Sequence, residues 1–309
     1  MRTAYIEIIM DCNLKCTFCS RGKDEGICQV SEIKQLINKY VAQGYGKIYF
    51  TGGEPLLFPN LEAIVAYGAS KSPEMTIQTN GILMTKEKAK LLKEAGVCQV
   101  IFSIHSHLPE IEDELMGGSG VLKQQLKGLL NAHNAGIITY VTVVLSKQNF
   151  ATLPQYFKFM FKNYPFVDHY TINFVDALGR ALSNRDVVPK LSDVEFSLAK
   201  ALLLLKKAGK SFRVERVPLC YLLEFAEYNT ELRRISTKED SVVFRRRESV
   251  GYTDGYFERE YVRGKACHSC TLKTVCPGVD KDYAEIYGTK ELYPLFVDPK
   301  KIVAKAGRD

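Results

Sequence analysis

The run Thr3-Ala4-Tyr5-Ile6-Glu7-Ile8-Ile9-Met10-Asp11-Cys12-Asn13-Leu14-Lys15-Cys16-Thr17-Phe18-Cys19 carries an apolar segment directly into a Cys-x3-Cys-x2-Cys triplet. Residues 3–10 read as a β-strand, with the triplet in the loop at its carboxyl end. Three thiols crowded onto one short loop cannot all pair as disulfides, but they can converge on one inorganic centre. A [4Fe–4S] cube takes four protein thiolates, so three leave one iron open to a small chelating ligand. The alternative is zinc, which takes four closed ligands in a structural site; Cys28 is the one further cysteine nearby in the chain.

Downstream, strand and helix patterns alternate with little spare loop. Helices are expected over 31–43, capped by Ser31 and stopped by Gly44; over 61–69; from the Thr85 cap to Gly96; and over 121–135 and 153–163. Strands are expected at 47–51, 75–79, 99–104, 137–145 and 169–174. Six β-then-α units predict an α/β fold with a parallel sheet and helices outside. With right-handed crossovers they close only part of a circle, a (β/α)6 partial TIM barrel. The unusual residues sit accordingly. The cysteines follow strand one, Gly52-Gly53-Glu54-Pro55 follows strand two, Asn80-Gly81 follows strand three, and Ser103 and His105 close strand four. All lie at carboxyl ends of strands, the rim on which parallel barrels carry their active sites.

After Leu178-Gly179-Arg180 the rhythm changes. A strongly apolar helix is expected over 191–208 and a strand over 211–217, leading to Cys220. Residues 226–262 have mixed patterns with no assignment, and 264–279 form a Cys/Gly/Lys loop. The chain divides into residues 1–185, a barrel, and 186–309, a smaller helical and irregular region.

The 309 residues carry 46% hydrophobic and 25% charged side chains, ordinary for a globular protein. No window offers the ~20 uncharged apolar residues of a membrane span, and Glu7 and Asp11 interrupt any signal-peptide pattern. A cytoplasmic location is expected, where nine cysteines argue for metal binding or catalysis before disulfides. Cys98 reads as a core thiol. The net charge of +7 is spread along the chain, and the dense run Arg245-Arg246-Arg247 reads as a solvated face. No aromatic-interleaved basic motif accompanies it, so neither nucleic acid nor membrane is an expected partner.

The triplet with Phe18 before its last cysteine, Gly52-Gly53-Glu54-Pro55 after strand two and Thr79-Asn80-Gly81 after strand three together resemble the radical S-adenosylmethionine (radical SAM) superfamily over residues 3–180. The resemblance implies that Cys12, Cys16 and Cys19 hold a [4Fe–4S] cluster whose open iron chelates SAM. It implies cofactor contacts from Gly52, Gly53, Glu54, Pro55, Asn80, Ser103, His105 and Val143. Gly52 and Gly53 would let the backbone approach the ligand closely, and Val143 to Leu145 would pack on adenine. Reductive cleavage of SAM would yield a 5′-deoxyadenosyl radical that abstracts a substrate hydrogen, with electrons from a donor such as flavodoxin or ferredoxin. Tyr140, Tyr170, Asn173, Asp176 and Arg180, at or near strands five and six, are candidates to face substrate, with Tyr140, Asn173 and Asp176 the catalytic candidates.

Cys267-x2-Cys270-x5-Cys276, followed by Pro277-Gly278, is similar to the centre of the auxiliary-cluster regions called SPASM and twitch. The full SPASM pattern adds a cysteine where this chain has Asp280. One second [4Fe–4S] cluster, closed by Cys220, therefore matches the count, with zinc (or His268 as a substitute ligand) the alternative. The implied activity is a peptide- or protein-modifying maturase. With strand one beginning at residue 3, any leader-binding domain is expected on a separate chain. The alternative is a small-molecule or cofactor-biosynthesis enzyme related to the molybdopterin-precursor cyclase, whose Gly-Gly-Gln-type tail is absent from Lys305-Ala306-Gly307-Arg308-Asp309. A non-enzymatic iron–sulfur scaffold is disfavoured by the intact motifs.

Overall fold

The computed structural model describes residues 2–20, 26–71, 74–237, 241–245, 248–252 and 261–306. Arg246 and Arg247 of the basic run, and residues 307–309 of the tail, lie outside the described residues. Strands β1 (Thr3–Ile9), β2 (Lys47–Gly52), β3 (Glu74–Thr79), β4 (Val97–Ser103), β5 (Ile138–Leu145), β6 (His169–Phe174) and β7 (Ser211–Glu215) lie parallel and side by side in chain order. The six-unit expectation holds and is extended by β7. Two more strands come from the unassigned stretch: β8 (Ser241–Arg245) pairs parallel to β1, and β9 (Glu248–Tyr252) pairs antiparallel to β8. The order β7-β6-β5-β4-β3-β2-β1-β8-β9 leaves the sheet open.

Period-2 alternation sorts the strand side chains onto two faces. Ala4, Ile6 and Ile8, Ile48 and Phe50, Val141, Val143 and Leu145, and Tyr170 and Ile172 are fully buried under the helices. The covering helices are α1 (Val30–Ala42), α2 (Leu61–Ala69), α3 (Lys86–Glu94), α4 (Pro109–Met116), α5 (Val121–Asn134) and α6 (Leu153–Asn163). The opposite, inner face is polar and half-buried, with Tyr5, Tyr49, Gln78, Ser103, Tyr140, His169, Thr171 and Asn173 on it. Apolar burial at about 25 cal/mol per Å2 drives the outer packing, which leaves the inner face available for ligands.

Two helix ends differ from expectation or match it. The first helix starts at Val30 after Gln29, so Ser31 lies inside its first turn and is not the cap. Thr85 does cap α3, its hydroxyl accepting the Lys88 N–H at 3.1 Å. Helix α4 has no counterpart in the sequence pattern: it is short and acidic, opened by Pro109 and closed by Gly117 at φ 63°.

Beyond the barrel come α7 (Arg180–Ser183), α8 (Leu191–Lys207), α9 (Thr230–Thr237), α10 (Lys281–Tyr287) and α11 (Pro299–Ala306), with a small antiparallel pair, β10 (Tyr261–Val262) and β11 (Val279–Asp280). The main core extends from Ala4 to Val279, Tyr283 and Leu292. A second core of Leu219, Ala226, Leu232, Leu272, Ile302 and Ala306 lies under Cys270 and Cys276, while Cys220 and Cys267 pack on the main core. Among the described residues no helix is long and apolar enough to cross a membrane.

Candidate active site

The cysteine loop is held from three sides. From β2, Gly53 N–H donates to Ile9 O at 2.6 Å and Glu54 N–H to Asp11 O at 2.9 Å. A Cβ on Gly52 would stand 2.1 Å from Ile9 O, and one on Gly53 would stand 2.0 Å from Asp11 O. The close approach that requires these glycines is therefore to the chain entering the cysteine loop, not only to a ligand as expected. From α4, Leu115 O accepts the Thr17 N–H at 2.8 Å, and the Met116 sulfur lies 3.6 Å from Cys16 Sγ. Leu14, Met116 and Val121 form a small buried cluster there. From the start of α7, Arg180 N–H donates to Cys19 O at 2.8 Å.

Glu54 is fully buried and turned toward β3. Its carboxylate accepts the Thr79 hydroxyl at 2.6 Å, the Asn80 N–H at 2.8 Å and the Leu56 N–H at 2.9 Å. Burial pushes its pKa up, and the three donors oppose that shift. Asn80 then donates to Asn13 Oδ1 at 2.7 Å, and so reaches the cysteine loop. Glu54 is thus a buried tie between the ends of β2 and β3, with Pro55 buried beside it, and Asn80 reaches the cysteine loop directly.

Cys12 is exposed, and Cys16 and Cys19 are half-buried. Burial pushes the Cys16 thiol up to about 12, helped by the charges of Cys19 and Cys12 and opposed by Arg180. Cys12 is raised for the same first reason. Among the described residues Arg180 Nε is buried with no hydrogen-bond partner, and its charge acts on the Cys16 thiol.

On β4, Ser103 is half-buried on the inner face. His105 lies just beyond the strand, 2% exposed, with Phe18 against its ring at 4.7 Å. Its Nδ1 accepts the Val144 N–H at 3.0 Å, which assigns the ring proton to Nε2. Burial lowers its pKa to about 3. Val143 departs from expectation: its side chain is fully buried on the helix-covered face, and Val144 is the member of that trio that shares the inner face. The period of a strand permits only one of the two neighbours to face the ligand side.

Of the substrate candidates, Tyr140 stands low on the inner face against His169, ring centroids 4.9 Å apart, away from the rim. Tyr170 is buried in the outer core beside Phe157. Asn173 is on the inner face, its Oδ1 without a partner among the described residues. Asp176 pairs with Arg216 at 2.7 Å, and its carboxylate lies within 4.8 Å of those of Asp280 and Asp282. Arg216 adopts φ 64° and its N–H is held by the buried Glu231 at 3.0 Å. Burial, then Asp176, raises Asp280 to about 7. Arg216 and Asp282 carried no signal in the sequence, because their meaning comes only from the meeting of β6, β7 and α10.

Cys220, Cys267, Cys270 and Cys276 line one cavity with Leu272 and Leu292. The segment after Leu292 straps it: Leu295 N–H donates to Cys270 Sγ at 3.4 Å, and Leu295 O accepts from Thr271. Tyr293 donates its hydroxyl hydrogen to Cys220 O. Burial pushes Cys220 up to about 12 and raises Cys276. Among the described residues, no three of the cysteine sulfurs in either set lie within 4.8 Å of one another.

The family model described as the Radical SAM superfamily matches residues 6–160. Among curated relatives, Fe-coproporphyrin III synthase of Methanosarcina barkeri is 35% identical over 150 residues, covering 47% of this chain and 37% of that protein. AdoMet-dependent heme synthase of the same organism is 24% identical over 306 residues, covering 97% and 86%. GTP 3′,8-cyclase of Aquifex aeolicus is 28% identical over 189 residues, covering 57% and 59%. This chain thus covers less than two thirds of the first and third of these relatives. Among solved structures, anSMEcpe with bound AdoMet and Cp18Cys peptide superposes with a TM-score of 0.68 at 16% identity, covering 99% of this chain and 96% of that one. Streptococcus suis SuiB bound to precursor peptide SuiA gives 0.66 at 15% identity, covering 95% and 74%. The chain belongs to the radical SAM superfamily, and its fold is the partial barrel of those enzymes. Its cofactors are SAM and a [4Fe–4S] cluster.

Proposed function

We propose that the chain is a maturase that acts on a side chain of a peptide or protein, and that Cys220, Cys267, Cys270 and Cys276 hold a second [4Fe–4S] cluster. Bound at the first triplet, cluster and SAM supply a 5′-deoxyadenosyl radical as the acceptor of a substrate hydrogen atom. The protein's share is to bind, orient and exclude water. Phe18 and His105 wall the loop, Arg180 offers a cation beside the thiolates, and Ser103 and Asn173 give polar contacts on the inner face.

The observation that carries the peptide reading is the open polar face. The sheet does not close, and its inner side chains are half-buried from Gln78 across to Asn173. An extended chain segment has room to enter there, with Asp176, Arg216 and Asp280 at the rim. The likeness of the whole chain to peptide-bound relatives of the fold is in keeping with this. A second reading, a small-molecule tetrapyrrole or cofactor substrate, is favoured by the alignment of 97% of the chain to a heme synthase.

Anaerobic iron and sulfide analysis tests the clusters. About eight irons per chain are expected, falling to about four in the Cys12/Cys16/Cys19→Ala triple variant; four falling to none would remove the second cluster. The reduced enzyme is then given SAM with either a peptide library or iron coproporphyrin III. Formation of 5′-deoxyadenosine stimulated by peptides supports the maturase, and stimulation by the porphyrin alone overturns it.

A further inference from the structure

Glu112 of α4 is fully buried, as is Gln125 of α5. Glu112 Oε2 accepts the His105 N–H at 2.9 Å and the Ser106 N–H at 2.6 Å. Gln125 Nε2 donates to Ser103 O at 2.8 Å, which fixes the amide's orientation and turns its oxygen away from that carbonyl. Gln125 lies beside the carboxyl, and among the described residues Glu112 Oε1 and Gln125 Oε1 are both buried with no hydrogen-bond partner. Two lone acceptors on touching side chains are a costly arrangement, since each unsatisfied buried polar group costs about 1–3 kcal/mol. One proton on the carboxyl would satisfy both.

We infer that Glu112 is a neutral carboxylic acid in the folded protein, donating from Oε1 to Gln125 Oε1, and that this proton positions Ser103 and His105 at the cofactor site. The placement of those two residues at the cofactor rests on the functional reading above; the protonation does not. The acid joins α4, which clamps the cysteine loop, to α5 and to the turn after β4. Burial raises its pKa to about 8, opposed by the His105 and Ser106 N–H groups and by Gln125, with the charge of Asp113 adding a smaller rise. The groups that face it are Asp113 on its own helix, itself bound by the Gly120 and Val121 N–H groups; Gln125 from α5; Tyr156 from α6, whose hydroxyl is on Ile104 O; and His105 from the turn. None is a cation able to hold a carboxylate.

The sign follows from linkage. The folded pKa lies above the unfolded one, so the contribution to stability is complete below about 4.5 and is lost as pH rises through about 8. Glu112→Gln keeps an acceptor for the two N–H groups and a donor for Gln125 without titrating. On apoprotein, the variant is expected to melt higher than wild type at pH 8 and to lose the wild-type decline between pH 5 and 8. The infrared spectrum of wild type at pH 7 should carry a protonated-carboxyl band absent from Glu112→Gln. Glu112→Ala should be less stable at every pH. A Glu112→Gln protein with the wild-type pH slope, or no Glu112-dependent carboxyl band, overturns the protonation. In reconstituted enzyme, SAM binding by calorimetry should survive Glu112→Gln and fall at least tenfold in Glu112→Ala; equal binding in both, with the band present, overturns the positioning role alone.

Discussion

Gly53 is the residue on which the cofactor loop turns. An added methyl would stand 2.0 Å from Asp11 O and 2.4 Å from Met10 O, both backbone atoms that no rotamer change can move. Overpacking of this kind costs about 1–3 kcal/mol, and here the strain falls on the segment that carries Cys12. Gly53→Ala is expected to lose most of its first-cluster iron while keeping a folded far-ultraviolet spectrum; iron analysis checks it, and full iron content would refute it. Cys16 offers a second measurement. Burial holds its thiol up near 12, and only the thiolate reacts. In apoprotein its alkylation rate should rise about tenfold per pH unit between pH 8 and 10, as followed by mass spectrometry of the tryptic peptide. A rate already level at pH 8 would show that the loop opens.

Among the elements, α3 and α1 separate a cap that acts from one that does not. Thr85 accepts the Lys88 N–H, whereas Ser31 makes no capping bond. Thr85→Ala should cost about 1 kcal/mol, and Ser31→Ala no more than about 0.5 kcal/mol. Denaturant titration of both variants decides it, and equal losses would contradict the helix starts described. The serine misleads because Ser just before an apolar run is the usual cap signal, while packing of Ile33, Leu36, Ile37 and Tyr40 on the sheet sets where the helix begins. Strand periodicity was legible throughout, yet it could not choose between Val143 and Val144. Which face of β5 is covered depends on the helices that pack there.

At the scale of the whole molecule, the later cysteines straddle two cores: Cys220 and Cys267 pack on the main one, Cys270 and Cys276 on the smaller. Leu272 is fully buried in the smaller core with Leu219 and Ile302, directly beneath Cys270 and Cys276. Leu272→Ala removes about 2–5 kcal/mol of packing at a place remote from the barrel interior. Iron per chain is expected to fall from about eight to about four, with 5′-deoxyadenosine formation from SAM alone retained. Loss of both sets of iron together would mean that the two cores do not act separately. The joint between them is the rim at Asp176, Arg216 and Asp280, where the end of β6 meets the segments leading from Cys276 and toward Cys220.

Sequence by itself determined the superfamily, the parallel strand order and the two cysteine sets, because these depend on local spacing: thiols four and three residues apart, glycines after a strand, apolar residues at every second position. Tertiary structure decided why Gly52 and Gly53 are glycines, that Glu54 is a buried strut, that Val143 faces the core, and that α4 clamps the loop. It also added β7 to the barrel and extended the sheet with β8 and β9 from a stretch without a readable pattern. These facts depend on contacts between residues tens of positions apart, such as Gly117 against Lys15 or Gln125 against Ser103. No local period records such contacts, and only the folded chain brings them within reach. The cysteine triplet marks its own chemistry; the shape of the site around it comes from the packing.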